Sequence, residues 1–272
     1  MGLRAVYIDL DGTLLGRDGA LVFDGDGTFS KAPIRMLEAC HRAGVEVVLT
    51  SGRREGGVAP VARLLGQNSY IFEVGCGVMI GDELTVLDGG IDCGGDTISN
   101  WLAKVGVPEL LFELAEGRLE SATPWDQGRR FSLLLRGLVD LEAGNRALRE
   151  AGHENLRLLD NGRITHPMAN VAAPRAYHVV PATASKANAV AAHRRARAYS
   201  ASETIAIGDS VEDLEMASAV GHFFCVANGA VKDPGVRARI GSFPNATVTE
   251  GERGEGCYEA VVATLAGAVA LG

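Results

Sequence analysis

Four short apolar runs, each stopping abruptly at a polar or glycine-rich cluster, constrain this chain more than any other feature. Ala5-Val6-Tyr7-Ile8 runs into Asp9, and Val45-Glu46-Val47-Val48-Leu49 runs into Thr50-Ser51-Gly52-Arg53. Thr204-Ile205-Ala206-Ile207 runs into Gly208-Asp209-Ser210, and Phe223-Phe224-Cys225-Val226 leads to Ala227-Asn228-Gly229. The runs are too short for helices and rich in β-branched and aromatic residues, so they read as buried parallel strands. Helical patterns fall between them: 32–44, with Pro33 in its first turn and Gly44 at its end, then 185–199 and 211–220. This alternation predicts an α/β fold, a Rossmann-like parallel sheet with helices on both faces. Ligands of such sheets bind beyond the carboxyl ends of the strands, where these polar clusters stand.

The stretch 84–178 has a different texture, with helical pieces at 96–105 and 138–151 and strand candidates at 110–114 (LLFEL) and 131–135 (FSLLL). None of its strands ends in a comparable cluster. It reads as an inserted α+β domain, dividing the chain into a first core part (1–83), a cap (84–178) and a second core part (179–272).

Composition narrows the partners. Asp and Glu exceed Lys and Arg by 34 to 26, a formal charge of −8, which argues against a nucleic-acid or anionic-membrane binder. A small anionic substrate stays possible, because a bound cation reverses the field of a carboxylate-rich site. The basic run His193–Arg197 reads as a solvated helix face favoured by the dipole. The five cysteines are widely spread, with no CxxC pair, and read as reduced and mostly buried. No signal-peptide core fits the charged N-terminal segment, and the apolar 257–272 stretch reads as a packed helix. A cytoplasmic protein, monomer or homodimer, is expected.

DLDGTLL at 9–15, TSGR at 50–53, Lys186 in ASKANAV and GDSVEDLEM at 208–216 stand in an order and spacing that resemble the four motifs of the haloacid dehalogenase superfamily. The long insert between the second and third motifs looks like the Cof-type group with a C2B cap, which includes sugar, sucrose, phosphoglycolate and mannosyl-3-phosphoglycerate phosphatases. The resemblance implies a Mg²⁺-dependent phosphatase acting on a small phosphorylated metabolite, a sugar phosphate or phospho-carboxylate, through an aspartyl-phosphate. Asp9 would be the nucleophile and Asp11 the general acid and base. Gly12 would let the chain pass close to the phosphate, and Thr13 would fix Asp11. Ser51, Gly52 and Arg53 would hold the phosphoryl group, and Lys186 would neutralise charge beside Asp9. Asp9, the Asp11 carbonyl and Asp209 would ligate the metal, with Asp213 holding a metal-bound water or Lys186, and Ser210 in support. A phosphomutase or phosphotransferase would use the same phospho-Asp9, and a silent metabolite-binding regulator would keep the fold. Each motif alone has an ordinary structural explanation, a turn or a helix cap; the combination carries the reading.

Three details depart from that pattern or stand outside it. Glu212 occupies a position where many family members have Asn. Asp24-Gly25-Asp26-Gly27-Thr28 echoes the first motif, but its turn character favours a hairpin near the site mouth over catalysis. Glu73-Val74-Gly75-Cys76-Gly77 stands where relatives often carry Asn-Gly, and either lines the site or makes a turn. Candidate substrate-reading residues in the insert are Arg129, Arg130, His166, Asn170, Arg175 and His178.

Overall fold

The computed structural model describes residues 2–164, 166–269 and 271. Among them the chain forms twelve strands: β1 (Ala5–Asp9), β2 (Glu46–Thr50), β3 (Ser69–Phe72), β4 (Gly77–Ile80), β5 (Glu83–Val86), β6 (Leu119–Ser121), β7 (Leu133–Gly137), β8 (Leu156–Arg163), β9 (Arg175–Pro181), β10 (Thr204–Gly208), β11 (His222–Cys225) and β12 (Ala246–Val248). Eight make one sheet in the order β12-β11-β10-β1-β2-β3-β4-β5, and four make a second in the order β6-β7-β9-β8. All pairings from β12 across to β3 are parallel, as the sequence predicts, whereas β4 and β5 add an antiparallel edge. The predicted boundaries at 83/84 and 178/179 fall inside β5 and β9, since β5 pairs in the large sheet and all of β9 in the small one.

Period-2 alternation on buried strands produces two apolar layers. Val6, Ile8, Val47, Leu49, Ile205 and Ile207 face one way, into a core shared with Met36 and Cys40 of the helix Ala32–Ala43 and Ala260 and Val261 of the helix Arg253–Leu265. Ala5, Tyr7, Val48, Ala206 and Phe223 face the other way, onto Ala189 and Val190 of the helix Lys186–Arg197. Since β1 lies between β2 and β10, and the chain proceeds to opposite sides from it, its carboxyl end is a topological switch point.

The structure corrects several expectations in detail. Residues 110–114 belong to a helix, Val107–Leu114, and not to a strand. Pro108 in its first turn and burial of Val107 and Leu111, four apart, give the physical reason. The strand expected from Phe131 begins at Leu133, because the Phe131 amide and the Ser132 hydroxyl bond to Glu73 instead of to a ladder. The 24–28 echo is a hairpin turn: Phe23 bridges Phe29, and both Asp24 and Asp26 accept from the Thr28 amide at 2.8 Å. His193 is fully buried, not solvated; of that run Arg195, Ala196 and Arg197 are exposed. All five cysteines are free, and four are buried. No described helix is long and apolar enough to cross a membrane.

His193 belongs to a polar network on the second layer. Its Nδ1 lies 2.9 Å from the Tyr7 hydroxyl, and its Nε2 lies 3.6 Å from Glu46. Glu46 accepts from Ser69 (2.6 Å), Arg197 (2.9 Å) and Tyr199 (3.1 Å). Burial pushes the Glu46 carboxyl upward, but hydrogen bonds and nearby positive charge outweigh it and lower the pKa to about 2. A depressed folded-state pKa stabilises above the unfolded value and loses that stabilisation as pH falls toward the folded one. Glu46→Gln is therefore expected to lower stability at pH 7 by about 1–2 kcal/mol, allowing for partial exposure. The gap from wild type should narrow between about pH 5 and pH 3 in thermal melts. A gap independent of pH over that range would refute the assignment.

Candidate active site

Strand ends bring the first group of side chains together. Asp9 is the last residue of β1, in register with Thr50 of β2, and Ile8 pairs with Ile207 of β10. Ser51 and Asp209 directly follow those neighbouring strands, so three chain segments meet at one edge. Lys186 opens its helix behind the Ser185 N-cap, whose hydroxyl accepts from the Asn188 amide at 3.0 Å. Its position is fixed further by Gly75, where any β-carbon would overlap the Ser185 carbonyl.

The Lys186 ammonium is 2% exposed and lies 2.7 Å from Asp9 Oδ1, 2.6 Å from Asp213 Oδ1 and 3.7 Å from Glu212 Oε2. Burial alone would lower its pKa, but Asp213, Asp9 and Glu212 together raise it well above the ordinary lysine value. Asp213 is itself held: its Oδ2 accepts from the Ser210 hydroxyl (2.6 Å) and from the amides of Ser210 (3.1 Å) and Asp209 (3.2 Å). Ser210, expected as a support, thus acts as a helix cap that orients Asp213. Asp213 contacts Lys186, one of its two expected roles. Glu212 does not point away. It is buried, with neither carboxylate oxygen hydrogen-bonded, and burial raises its pKa to about 7 against the pull of Lys186.

Carboxylate oxygens of Asp9, Asp209 and Asp213 lie within 4.8 Å of one another. Lys186 takes Oδ1 of Asp9 and of Asp213, and the Ser210 cap takes the other oxygen of Asp213. Asp9 and Asp209 both line the cleft, and Lys232 Nζ stands 3.9 Å from Asp209 Oδ2. Burial first, and Asp213 next, push Asp9 well above the usual carboxylate range, and the same two causes push Asp209 up to about 6. A hard divalent cation satisfied by oxygen donors fits this set. The Asp11 side chain stands apart from it. Its carboxylate is 57% exposed and receives two hydrogen bonds from Arg53, at 2.7 and 2.5 Å. Arg53 therefore contacts Asp11 directly, an arrangement the sequence did not suggest.

Gly12 turns at φ +89, and a β-carbon there would stand 2.5 Å from Asp209 Oδ2. Thr13 was expected to fix Asp11; instead its hydroxyl donates to Asp209 Oδ1 at 3.4 Å. Ser51 accepts the Arg53 amide at 3.1 Å, leaving its hydroxyl proton to donate. Asn228 was not foreseen: its amide donates to the Gly12 carbonyl at 2.8 Å and its oxygen accepts from Arg253, bracing the turn.

The second sheet closes over these residues, enclosing a cleft of about 960 Å³ that reaches from Asp9 to Arg129 and His178. A β-carbon on Gly52 would stand 2.9 Å from Asn161 Nδ2 and 3.4 Å from His178 Nε2, so β8 and β9 rest on bare backbone between Ser51 and Arg53. Of the other residues considered in the insert, Arg175 pairs with Asp160 at 2.5 Å and Asp233 at 3.8 Å, and Arg130 reaches Glu55 at 3.4 Å. His166 packs against Trp125 with the rings tilted at 55°, and Asn170 lies in an exposed turn outside the cleft. Asn161, Trp125, Arg54 and Lys232, all missed in sequence, line the cleft. Only the Asn161-Gly162 pair carries a local signal, that of a turn.

A family model for haloacid dehalogenase-like hydrolases matches residues 6–86 and 162–232, more than half of the chain. The chain belongs to that hydrolase family. Solved structures agree on the fold. A Thermoplasma acidophilum protein is 19% identical with a TM-score of 0.65, covering 97% of this chain and 99% of its own. The sucrose-phosphatase of Synechocystis, solved with sucrose and phosphate, is 15% identical with a TM-score of 0.67, covering 97% and 98%. A phosphatase of the haloalkanoate superfamily from Bacteroides thetaiotaomicron is 17% identical with a TM-score of 0.64, covering 97% and 95%. No curated protein matches the sequence.

Because three buried carboxylates share the Lys186 ammonium, its removal leaves uncompensated charge. Lys186→Met is expected to destabilise the protein by about 3 kcal/mol or more in urea unfolding, and adding Asp9→Asn should recover part of the loss. An unchanged urea midpoint for the single variant would show that the cluster is not held by this charge.

Proposed function

We propose that the protein is a Mg²⁺-dependent phosphatase that hydrolyses a small phosphomonoester through an aspartyl-phosphate on Asp9. The observation that carries this reading is the buried Asp9–Lys186–Asp213 cluster at the switch point, with Asp9 and Ser51 both lining the cleft. A carboxylate nucleophile divides phosphoryl transfer to water into two easier steps. In the first, Asp9 forms a bond to phosphorus as the bond to the leaving oxygen breaks, and Asp11 delivers a proton to that oxygen. In the second, water attacks phosphorus, Asp11 takes a proton from it, and Asp9 is released. The phosphatases among the structural relatives support this choice of hydrolase.

The remaining residues act by position and charge. Lys186 orients Asp9 and draws its pKa down against the effect of burial, and its charge offsets the negative charge gathering at the transferring group. The Ser51 hydroxyl and the amides of the tight turn after Asp9 donate to phosphoryl oxygens. Asp11 must turn away from Arg53 to reach a leaving oxygen, so Arg53 holds the acid outside the site until substrate is present. Asp9, the Asp11 carbonyl and Asp209 would hold Mg²⁺, whose charge permits a phosphate dianion to approach this acidic edge. A cap closed over the cleft suits a small metabolite and gives the division 1–83, 84–178 and 179–272 its functional sense, with the crossings a few residues further along the chain.

Phosphate release from a panel of phosphomonoesters tests the reading. Asp9→Asn should reduce turnover at least about 10³-fold, while Asp24→Asn in the hairpin keeps most of it. Chelation of divalent metal should abolish turnover and Mg²⁺ should restore it. Phosphate release undiminished in Asp9→Asn would exclude the covalent route, and undiminished release under chelation would exclude the metal.

A further inference from the structure

On the cap wall of the cleft, polar groups are buried without partners. His178 is fully buried, yet neither ring nitrogen has a hydrogen-bond partner. Arg129 is 8% exposed; its Nη1 reaches Ser132 Oγ at 3.2 Å, and its Nε has no partner. Unpaired buried polar atoms are costly, and a cluster of them lining one cavity favours a polar ligand that can pair with them. The cluster consists mostly of donors. Burial first, and then the charges of Arg129 and Lys186, keep the His178 imidazole neutral, with one N–H to give. Asn161 Nδ2, beside His178 over Gly52, adds an amide donor.

Two nearby carboxylates, Glu73 and Asp126, act directly on Arg129 through charge alone, and Asp126 accepts from the Thr123 hydroxyl at 3.2 Å. Asp160 and Asp233 pair with Arg175. Glu73, fully buried, accepts from the amides of Arg130 (2.9 Å) and Phe131 (3.0 Å) and from the Ser132 hydroxyl (2.7 Å). Through Ser132 it fixes the Arg129 side chain. The backbone that presents Glu73 is strained, with φ of +48 at Glu73 and +60 at the β-branched Val74. Such strain persists where surrounding contacts impose it, and here the contacts are those of the Arg129 segment.

We infer that Arg129, with Asn161 and His178, binds a second acidic group on the leaving portion of the substrate, a carboxylate or a second phosphate. This rests on the phosphatase reading above. The two anions of such a substrate fall on separate cations: the transferring phosphate on the Lys186 side of the cleft and the second group on Arg129. Arginine suits this role because its planar donors match both carboxylate and phosphate oxygens.

The test uses the full-length protein with Mg²⁺ and two matched substrate pairs. Glycerol 3-phosphate against 3-phosphoglycerate asks for a carboxylate, and fructose 6-phosphate against fructose 1,6-bisphosphate asks for a second phosphate. At least one acidic member should be preferred about tenfold or more in kcat/KM, chiefly through KM, and Arg129→Gln should bring that ratio close to one. The ratio is taken within one preparation, so partial misfolding of the variant cancels from it. The pair that shows the preference identifies the acid. Turnover without preference in either pair, or a preference retained in Arg129→Gln, would overturn the inference and leave the phosphatase reading standing. Silence toward all four substrates would overturn both.

Discussion

One buried ammonium organises the site. Lys186 stands between carboxylates that come from the end of β1 and from the short helix after β10. Three acids within 4 Å of one another's partner would repel without it, and a lone buried lysine would lose its proton. Each charge makes the others tolerable. The parallel sheet supplies the precision: β1, between β2 and β10, aims all three carboxyl ends at one point, and the Ser185 and Ser210 caps set the last torsions. Electrostatic groups held this rigidly need little reorganisation when charge moves, which is what phosphoryl transfer requires of a protein.

Much of this core was legible because the catalytic candidates stand where a buried apolar run first turns polar. Asp9 and Asp209 are the first polar residues after theirs and Ser51 the second, after Thr50, and a run of period-2 burial fixes which way the strand points. Lys186 was legible only through its company, since a lysine at a helix start is otherwise a surface residue. Side-chain pairing was not legible at all. Thr13 reaches Asp209 and not Asp11, and Arg53 reaches Asp11 across 42 positions, because χ angles and loop curvature decide such contacts. Glu212 turns inward because the four-residue helix Val211–Leu214 places it beside Asp213 on the Lys186 side, where a third carboxylate strengthens the ammonium's hold.

The insert was harder to read. Its elements carry mixed apolar and polar residues with no sharp ends, so LLFEL passed for a strand although Pro108 and the 107/111 spacing make it a helix. The cleft wall draws on Trp125, Arg129, Asn161 and His178 from separate segments, brought together by antiparallel pairing and not by local sequence. His178 owes its inward direction to register: it pairs with Leu134 on one side and Leu159 on the other, and a slip of one residue would turn it to the opposite face.

At the Glu73 carboxylate the two sheets are joined by three hydrogen bonds from the consecutive residues Arg130, Phe131 and Ser132. Contacts on the far side of the cleft are longer or non-bonded: Arg175 to Asp233 at 3.8 Å, and Asn161 resting on Gly52. The roof is therefore fastened unevenly. Arg129 directly precedes the three residues that hold Glu73, so the bonds that join the two sheets also set its place, whereas Asn161 meets the floor only across the bare backbone of Gly52.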